Sequence, residues 1–360
     1  MRACFVVRDA AWSGATRAFA DGAALLAARG YETCFAVPAG SEAERCLAAA
    51  GHDVIGMRSG GGWWRAGWRL RRVVASRLCE VLFVHDDREH LTAALAVWLA
   101  GRGAVVRRTP AAERLTLGAD GRMAMRLAAT AFLFAHADDL RGMAPPRGAL
   151  AAHVAAPGAP SGTPNPPAAL GAIGNTATQR LVVFAGADQR SESLVVLRAL
   201  ALLAPRLPGL RATFFSPAAE LDGSRLQAAA LGVADRIEWR ASGAPRADVL
   251  DVADLAWVVA RADDAVFAML DALSRGVPVV AERSPVTARF LDDGASGVLR
   301  HRADEAEWAS VVSAALSHGE GLAQMHREAR RAAARWPIDG GADGWVQVTE
   351  AARDRARWAV

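Results

Sequence analysis

Residues 263–280 read DDAVFAMLDALSRGVPVV, and the reading of the whole chain starts there. Ala268, Met269, Ala272 and Leu273 recur at the spacing of a helix with one buried side. Gly276 ends that helix, and the Gly-Val-Pro turn delivers Val277, Val279 and Val280 to a buried strand. This places Asp263 in the loop that enters the helix and Asp271 inside it, about two turns further on. Two carboxylates near a helix N-terminus, at the edge of a parallel sheet, can grip the hydroxyls of a polar ligand. The competing reading makes both ordinary solvated or capping acids.

Working outward, Leu181–Ala185, Ala212–Phe215, Arg236–Trp239 and Leu255–Val259 are apolar runs of strand length, separated by helical patterns such as Ser193–Ala204. Strand and helix in alternation predict a doubly wound parallel sheet. The first part of the chain repeats the pattern. Cys4–Val7 reads as a strand, Ala15–Arg29 as a helix closed by Gly30, and Tyr31–Val37 as the next strand, a right-handed βαβ unit. Glu80–His85, Ala104–Arg107 and Phe132–Ala135 supply further strands. Between Arg141 and Arg180 the composition turns to Pro, Gly and Ala, as in a linker. The expected architecture is α/β with two Rossmann-like doubly wound domains, 1–160 and 161–344, and a C-terminal helix, 345–360, crossing back to the first.

Composition narrows the chemistry. The chain has 360 residues, 52% of them hydrophobic, enough to bury two cores. All 42 basic residues are arginine, which excludes lysine Schiff-base chemistry and a Walker-type phosphate loop. A net charge of +4 demands no nucleic-acid partner. Cys4, Cys34, Cys46 and Cys79 lack metal-type spacing and read as buried, reduced thiols. The start, MRACFVVRDA, is too short an apolar run for a signal peptide, and no run reaches the ~20 residues that span a bilayer. A cytoplasmic protein is expected.

The segment 60–78, GGGWWRAGWRLRRVVASRL, sets Trp63, Gly67, Leu70, Val74 and Leu78 on one helical face and Arg65, Arg69, Arg72 and Ser76 on the other. Tryptophan with arginine suits an anionic membrane surface, with peripheral contact through 63–78; a core-packed helix with a solvated arginine face fits the same pattern. His85 falls at the C-terminal end of its strand, the edge where open α/β sheets bind ligands, and is a candidate acceptor contact or proton carrier, with a helix cap as the competing reading. Arg108, at the end of another strand, has the fork that binds a phosphate or an acidic acceptor. Ser13-Gly14 replaces a G-x-G-x-x-G fingerprint, and Gly14 would admit close backbone approach of a phosphate.

Asp263-x7-Asp271 with Gly276-Val277-Pro278-Val279-Val280 resembles the acidic E-x7-E element of the retaining family-4 glycosyltransferases of GT-B fold, with Asp in place of Glu. The stretch 13–37 is similar to their first loop and helix, HVAAPGAP to their last N-domain strand, and Asp292-Asp293-Gly294 with Gly297-Val298-Leu299 to their exit turn. The resemblance implies transfer of a sugar from a nucleotide-diphosphate sugar to a glycan, lipid-linked or cell-envelope acceptor. No cofactor is implied beyond that co-substrate. With no D-x-D triplet, no metal site is expected. It also implies that Asp271 holds the ribose, Asp263 the sugar, and Arg190 with Arg289 the leaving diphosphate beside Gly186. Ser13 and Gly14 would join the donor-binding residues, and Gly14, His85 and Arg108 would meet the acceptor and anomeric centre when the domains close.

The match has departures. Ala187 and Glu192 stand where relatives carry an Arg and a Lys. Ser284-Pro285-Val286 replaces a glycine-rich loop, Arg289 an acid, and Ser216-Pro217-Ala218 a Gly-Asp-Gly-like turn. Each charge-assisted phosphate bond is worth roughly 1.5–3 kcal/mol. A catalytically degenerate GT-B protein, acting as a binding or scaffold subunit, is therefore the alternative.

Overall fold

A computed structural model describes residues 1–58, 60, 62–111, 113, 115–142, 145–160, 178–186, 190–301 and 303–356. The chain divides into two units, Met1–Pro157 with Asp339–Val360, and Gly158–Ile338.

In the first unit β1 (Arg2–Val6), α1 (Gly14–Ala27), β2 (Glu32–Pro38), α2 (Glu42–Ala49), β3 (Val54–Met57), α3 (Gly62–Ser76), β4 (Val81–Val84), α4 (Asp87–Ala100), β5 (Ala104–Thr109), α5 (Ala119–Leu127), β6 (Thr130–Phe134), α6 (Ala137–Arg141) and β7 (Ala152–Val154) follow in order. Seven strands form one sheet, ordered β3-β2-β1-β4-β5-β6-β7, and every pairing is parallel. The strands are apolar at nearly every position because helices cover both faces of the sheet. Phe5 stacks on Phe35 and Phe83 across three adjacent strands, with centroids 5.0 and 4.7 Å apart.

The second unit holds β8 (Arg180–Phe184), α7 (Arg190–Leu203), β9 (Arg211–Ser216), α8 (Leu221–Ala230), β10 (Ile237–Ala241), α9 (Ala247–Leu250), β11 (Leu255–Val258), α10 (Ala262–Ser274), β12 (Val279–Glu282), α11 (Thr287–Phe290), β13 (Gly297–Arg300), α12 (Glu305–Ser317) and α13 (Gly319–Ala333). Its six strands, also all parallel, run β10-β9-β8-β11-β12-β13. The strand order reverses between β8 and β11, so the crevice at their C-terminal ends is this sheet's topological switch point.

The last helix, α14 (Ala342–Ala356), belongs to the first unit and starts three residues before Trp345. Gly22 on α1 makes room for it: a Cβ there would stand 2.5 Å from the Trp345 indole.

Several boundaries differ from the sequence reading. Gly14 is the first residue of α1 rather than part of a loop, because Ser13 caps the helix. The strand after α10 begins at Val279, not Val277. Leu78 lies beyond α3, 60% exposed and with φ of +54°, so it does not extend that helix's buried face. Residues 161–177 of the Pro-rich segment lie outside the described residues.

Candidate functional site

The two acids of the opening motif sit on α10. Asp263 is not in the loop before the helix but in its first turn, where Asp264 joins it. Acids in a first turn are favoured by the unpaired N–H groups and positive end of the helix dipole, by roughly 0.3–1 kcal/mol each. Ala262 ahead of them has a φ of +45°, a left-handed conformation that costs a non-glycine residue about 1–2 kcal/mol. Asp263 and Asp271 are both buried, at 3% and 6% exposure. Gly276 ends the helix with φ of +74°, and a Cβ there would also collide with the Arg330 side chain.

At the switch point β8 runs out at Gly186, whose α-carbon faces α10. A Cβ on Gly186 would lie 3.3 Å from Asp264 Oδ2. Asp264 therefore borders the crevice, a residue the sequence reading passed over. Glu192, in the first turn of α7, pairs with Arg261 Nη2 at 2.5 Å. Glu192 occupies a position where the resemblance implied a cation, and Arg261 returns that charge from the other side of the crevice.

Asp271 has a partner that the sequence did not reveal. Arg246 Nη1 donates to Asp271 Oδ2 at 2.7 Å, and Arg246 Nη2 to the Ser242 carbonyl oxygen at 3.2 Å. The guanidinium carbon lies 5.0 Å from the Phe184 ring centroid and 5.7 Å from that of Phe215. Cation, acid and two aromatic faces thus meet at the C-terminal ends of β8 and β9. The Ser216 hydroxyl, at the end of β9, is fully buried with no hydrogen-bond partner among the described residues. This arrangement supplies both signs of charge, aromatic faces and a hydroxyl to a polar, anionic ligand. Arg289 is half-buried at the end of α11. The Arg190 side chain lies outside the described residues.

Two candidates of the first unit, Ser13 and His85, hold the start of α1. Ser13 caps α1, its Oγ accepting from the Thr16 amide at 3.3 Å. His85 bonds through Nε2 to the Ala15 carbonyl oxygen at 2.7 Å and stacks on Phe19 at 3.7 Å. The His85 amide and the Arg8 amide donate to the two oxygens of Glu89, at 2.7 and 2.8 Å. His85 therefore ties the loop after β4 to the start of α1, a positioning role. Arg108 does stand at the C-terminal end of β5, one residue before Thr109, but its side chain is only 2% exposed and is among the largest wholly buried ones. Its neighbour Arg107 pairs with Asp87, and burial brings that guanidinium down to about 10.

The thiols also gather. The Sγ atoms of Cys4, Cys34 and Cys79 lie within 4.8 Å of one another, all fully buried. Spacing along the chain hid this, because Cys4 and Cys34 are register partners on β1 and β2 and Cys79 lies just before β4.

Residues 179–318 match the family described as Glycosyl transferases group 1, a span that includes the whole crevice just described. Among curated proteins, none matches the chain. Solved structures do. HepE of Anabaena, in complex with UDP-glucose, superposes with a TM-score of 0.72 at 14% identity, over 99% of this chain and 100% of that one. Sucrose-phosphate synthase from Thermosynechococcus elongatus gives 0.70 at 11% identity, over 100% and 99%. A protein assigned as a UDP-N-acetylglucosamine 2-epimerase from Listeria monocytogenes gives 0.65 at 12% identity, over 99% and 97%. Identities this low speak for fold alone. The chain thus has the two parallel-sheet units of the GT-B fold, and residues 179–318 of its second unit match the group 1 glycosyltransferases.

Proposed function

We propose that the protein transfers a sugar from a nucleotide-diphosphate sugar to an acceptor, in the manner of the retaining family-4 glycosyltransferases and without a metal. One observation carries the reading: the group 1 match covers a switch-point crevice in which Asp263 and Asp271, eight residues apart on α10, are both buried. In this reading Asp271 holds the ribose hydroxyls and Asp263 the sugar hydroxyls. Gly186 admits the diphosphate at the end of β8, with Arg190 and Arg289 as its counter-charges. Arg246 joins them, since releasing Asp271 frees a guanidinium beside the same ligand. The donor base is uridine by analogy with the UDP-glucose held by HepE. The acceptor is a glycan, lipid-linked or cell-envelope precursor met by the first unit. His85 serves there by holding the start of α1, and Arg108, at the end of β5, is the cation nearest that edge of the strand.

Peripheral membrane contact through 63–78 belongs to the same proposal. Trp64 and Trp68 on α3 are 54% and 49% exposed, with Arg65 and Arg71 over their rings at 4.9 and 4.8 Å. Such a face suits anionic headgroups. Among the described residues, no helix is long and apolar enough to cross a membrane.

A second reading, a GT-B protein that binds without turnover, is favoured by one feature: the chain's own Arg246 occupies Asp271. Calorimetric titration of UDP, GDP and ADP, followed by a donor-hydrolysis assay, separates the two. Binding of one diphosphate that Asp271→Asn abolishes, together with hydrolysis of its sugar conjugate, supports the transferase. Binding without hydrolysis supports the second reading, and no binding at all refutes both.

A further inference from the structure

The first unit contains a cavity of about 330 Å³, lined by the ends of β1, β2 and β3 and by α3 and α4. Val6, Ala36, Met57, Trp63, Ala66 and Leu70 make its apolar wall. Three arginines, Arg8, Arg58 and Arg88, belong to the same lining, against a single acidic residue, Glu89. Glu89 faces inward to the backbone: each of its oxygens already accepts a main-chain N–H, from Arg8 and from His85. Arg8 and Arg88 rest on exposed acids, Asp86 at 3.1 Å and Asp120 at 2.9 Å, and keep further N–H groups for a ligand. Arg58 is exposed, with no ion pair or side-chain hydrogen bond among the described residues.

An apolar bowl ringed by cations selects a ligand that has both parts. An inorganic anion would leave the Trp63–Leu70 wall wet, and a neutral sugar would leave the guanidiniums unmatched. The cavity opens at the C-terminal ends of three strands, the edge at which such sheets place ligands. Trp63 lines it from the same helix that turns Trp64 and Trp68 outward, so an apolar tail can leave along α3.

We infer that this cavity is the seat of the acceptor, and that the acceptor is a phosphate ester carrying an apolar group, gripped by Arg8, Arg58 and Arg88 with its apolar part against Trp63 and Leu70. The inference rests on the transferase reading for the word acceptor; the binding site itself stands on the cavity alone.

The test titrates the full-length protein with hexyl phosphate, inorganic phosphate and hexyl glucoside by calorimetry. Hexyl phosphate should bind at least about tenfold more tightly than either of the others, a difference of about 1.4 kcal/mol. Arg58→Gln, a change at an exposed side chain, should weaken it by at least about tenfold, close to the lower bound for one charge-assisted contact. Ala66→Phe should abolish binding by filling the bowl; if that variant unfolds, Arg58→Gln alone decides. Flotation with phosphatidylcholine vesicles, with and without phosphatidic acid, separates the sources. Retention by phosphatidic acid that Arg58→Gln loses marks a lipid-borne phosphate, and hexyl phosphate binding without flotation marks a soluble ester. Either result supports the inference. Binding of neither phosphate form, or equal binding of hexyl glucoside, overturns it. UDP is titrated into the same samples: UDP binding without hexyl phosphate binding sinks this inference and spares the transferase, and the converse does the reverse.

Discussion

Arg246 Nη1 stands 2.7 Å from Asp271 Oδ2, across 25 residues of chain, with 18% and 8% of the two side chains exposed. The pair is largely dry, so removing one partner takes from the other its counter-charge at 2.7 Å. Arg246→Ala should cost the second unit about 2–4 kcal/mol in urea unfolding. The double variant with Asp271→Asn should cost less than the sum of the singles, by about 1–3 kcal/mol. Additive losses would show that the two residues are neighbours without coupling.

Glu89 makes stability depend on pH. Burial, and then the Asp86 charge, raise its carboxyl from 4.5 to about 7 against the pull of the His85, Arg8 and Asp86 amides. The folded state therefore holds a proton that the unfolded chain has already released. Stability should fall as pH rises from about 4.5 to about 7 and level off above that, by on the order of 3 kcal/mol in all. Glu89→Gln should flatten this part of the profile of melting temperature against pH. An unchanged slope in the variant would assign the dependence to other groups.

Gly344 is where α14 meets the edge of the first sheet. A Cβ on it would fall on the Val154 carbonyl oxygen, main chain that cannot swing aside. Gly344→Ala should destabilise the first unit by roughly 1–3 kcal/mol, the cost of overpacking. Gly223→Ala, which meets nothing within 4 Å in the first turn of α8, is the control and should be neutral or slightly stabilising. Equal melting points for the two variants would contradict the close approach of α14.

The thiols should react in two classes. Cys46 is half-buried, whereas Cys4, Cys34 and Cys79 are fully buried. A thiol reagent should label one cysteine quickly in the native protein and all four after unfolding in urea. Rapid native labelling of two or more would mean that the trio is open to solvent.

The parallel sheets and the helix of the acidic motif were legible in the sequence because they rest on local chemistry. A run such as Leu181–Phe184 can only be buried on both faces, and Gly276 can take a φ of +74° where other residues are strained. The eight-residue spacing likewise put Asp271 inside that helix and Asp263 at its entrance, although α10 begins at Ala262 and so takes in Asp263 as well. What could not be read was which distant groups those residues would meet. Arg246 lies in a loop whose own sequence, ASGAPRAD, gives no sign of a partner; only the parallel order of β8, β9 and β10 carries it to Asp271. His85 was placed correctly at a strand end, yet its ring turned inward to Ala15 and Phe19 because α1 packs there. Cys4, Cys34 and Cys79 converge because strand pairing brings residues 30 to 75 positions apart within 4.8 Å. Periodicity and turn residues act over a few positions, so the sequence by itself determined the elements and their order. The partners of each polar group depend on strand register and helix packing, and those only the tertiary structure decided.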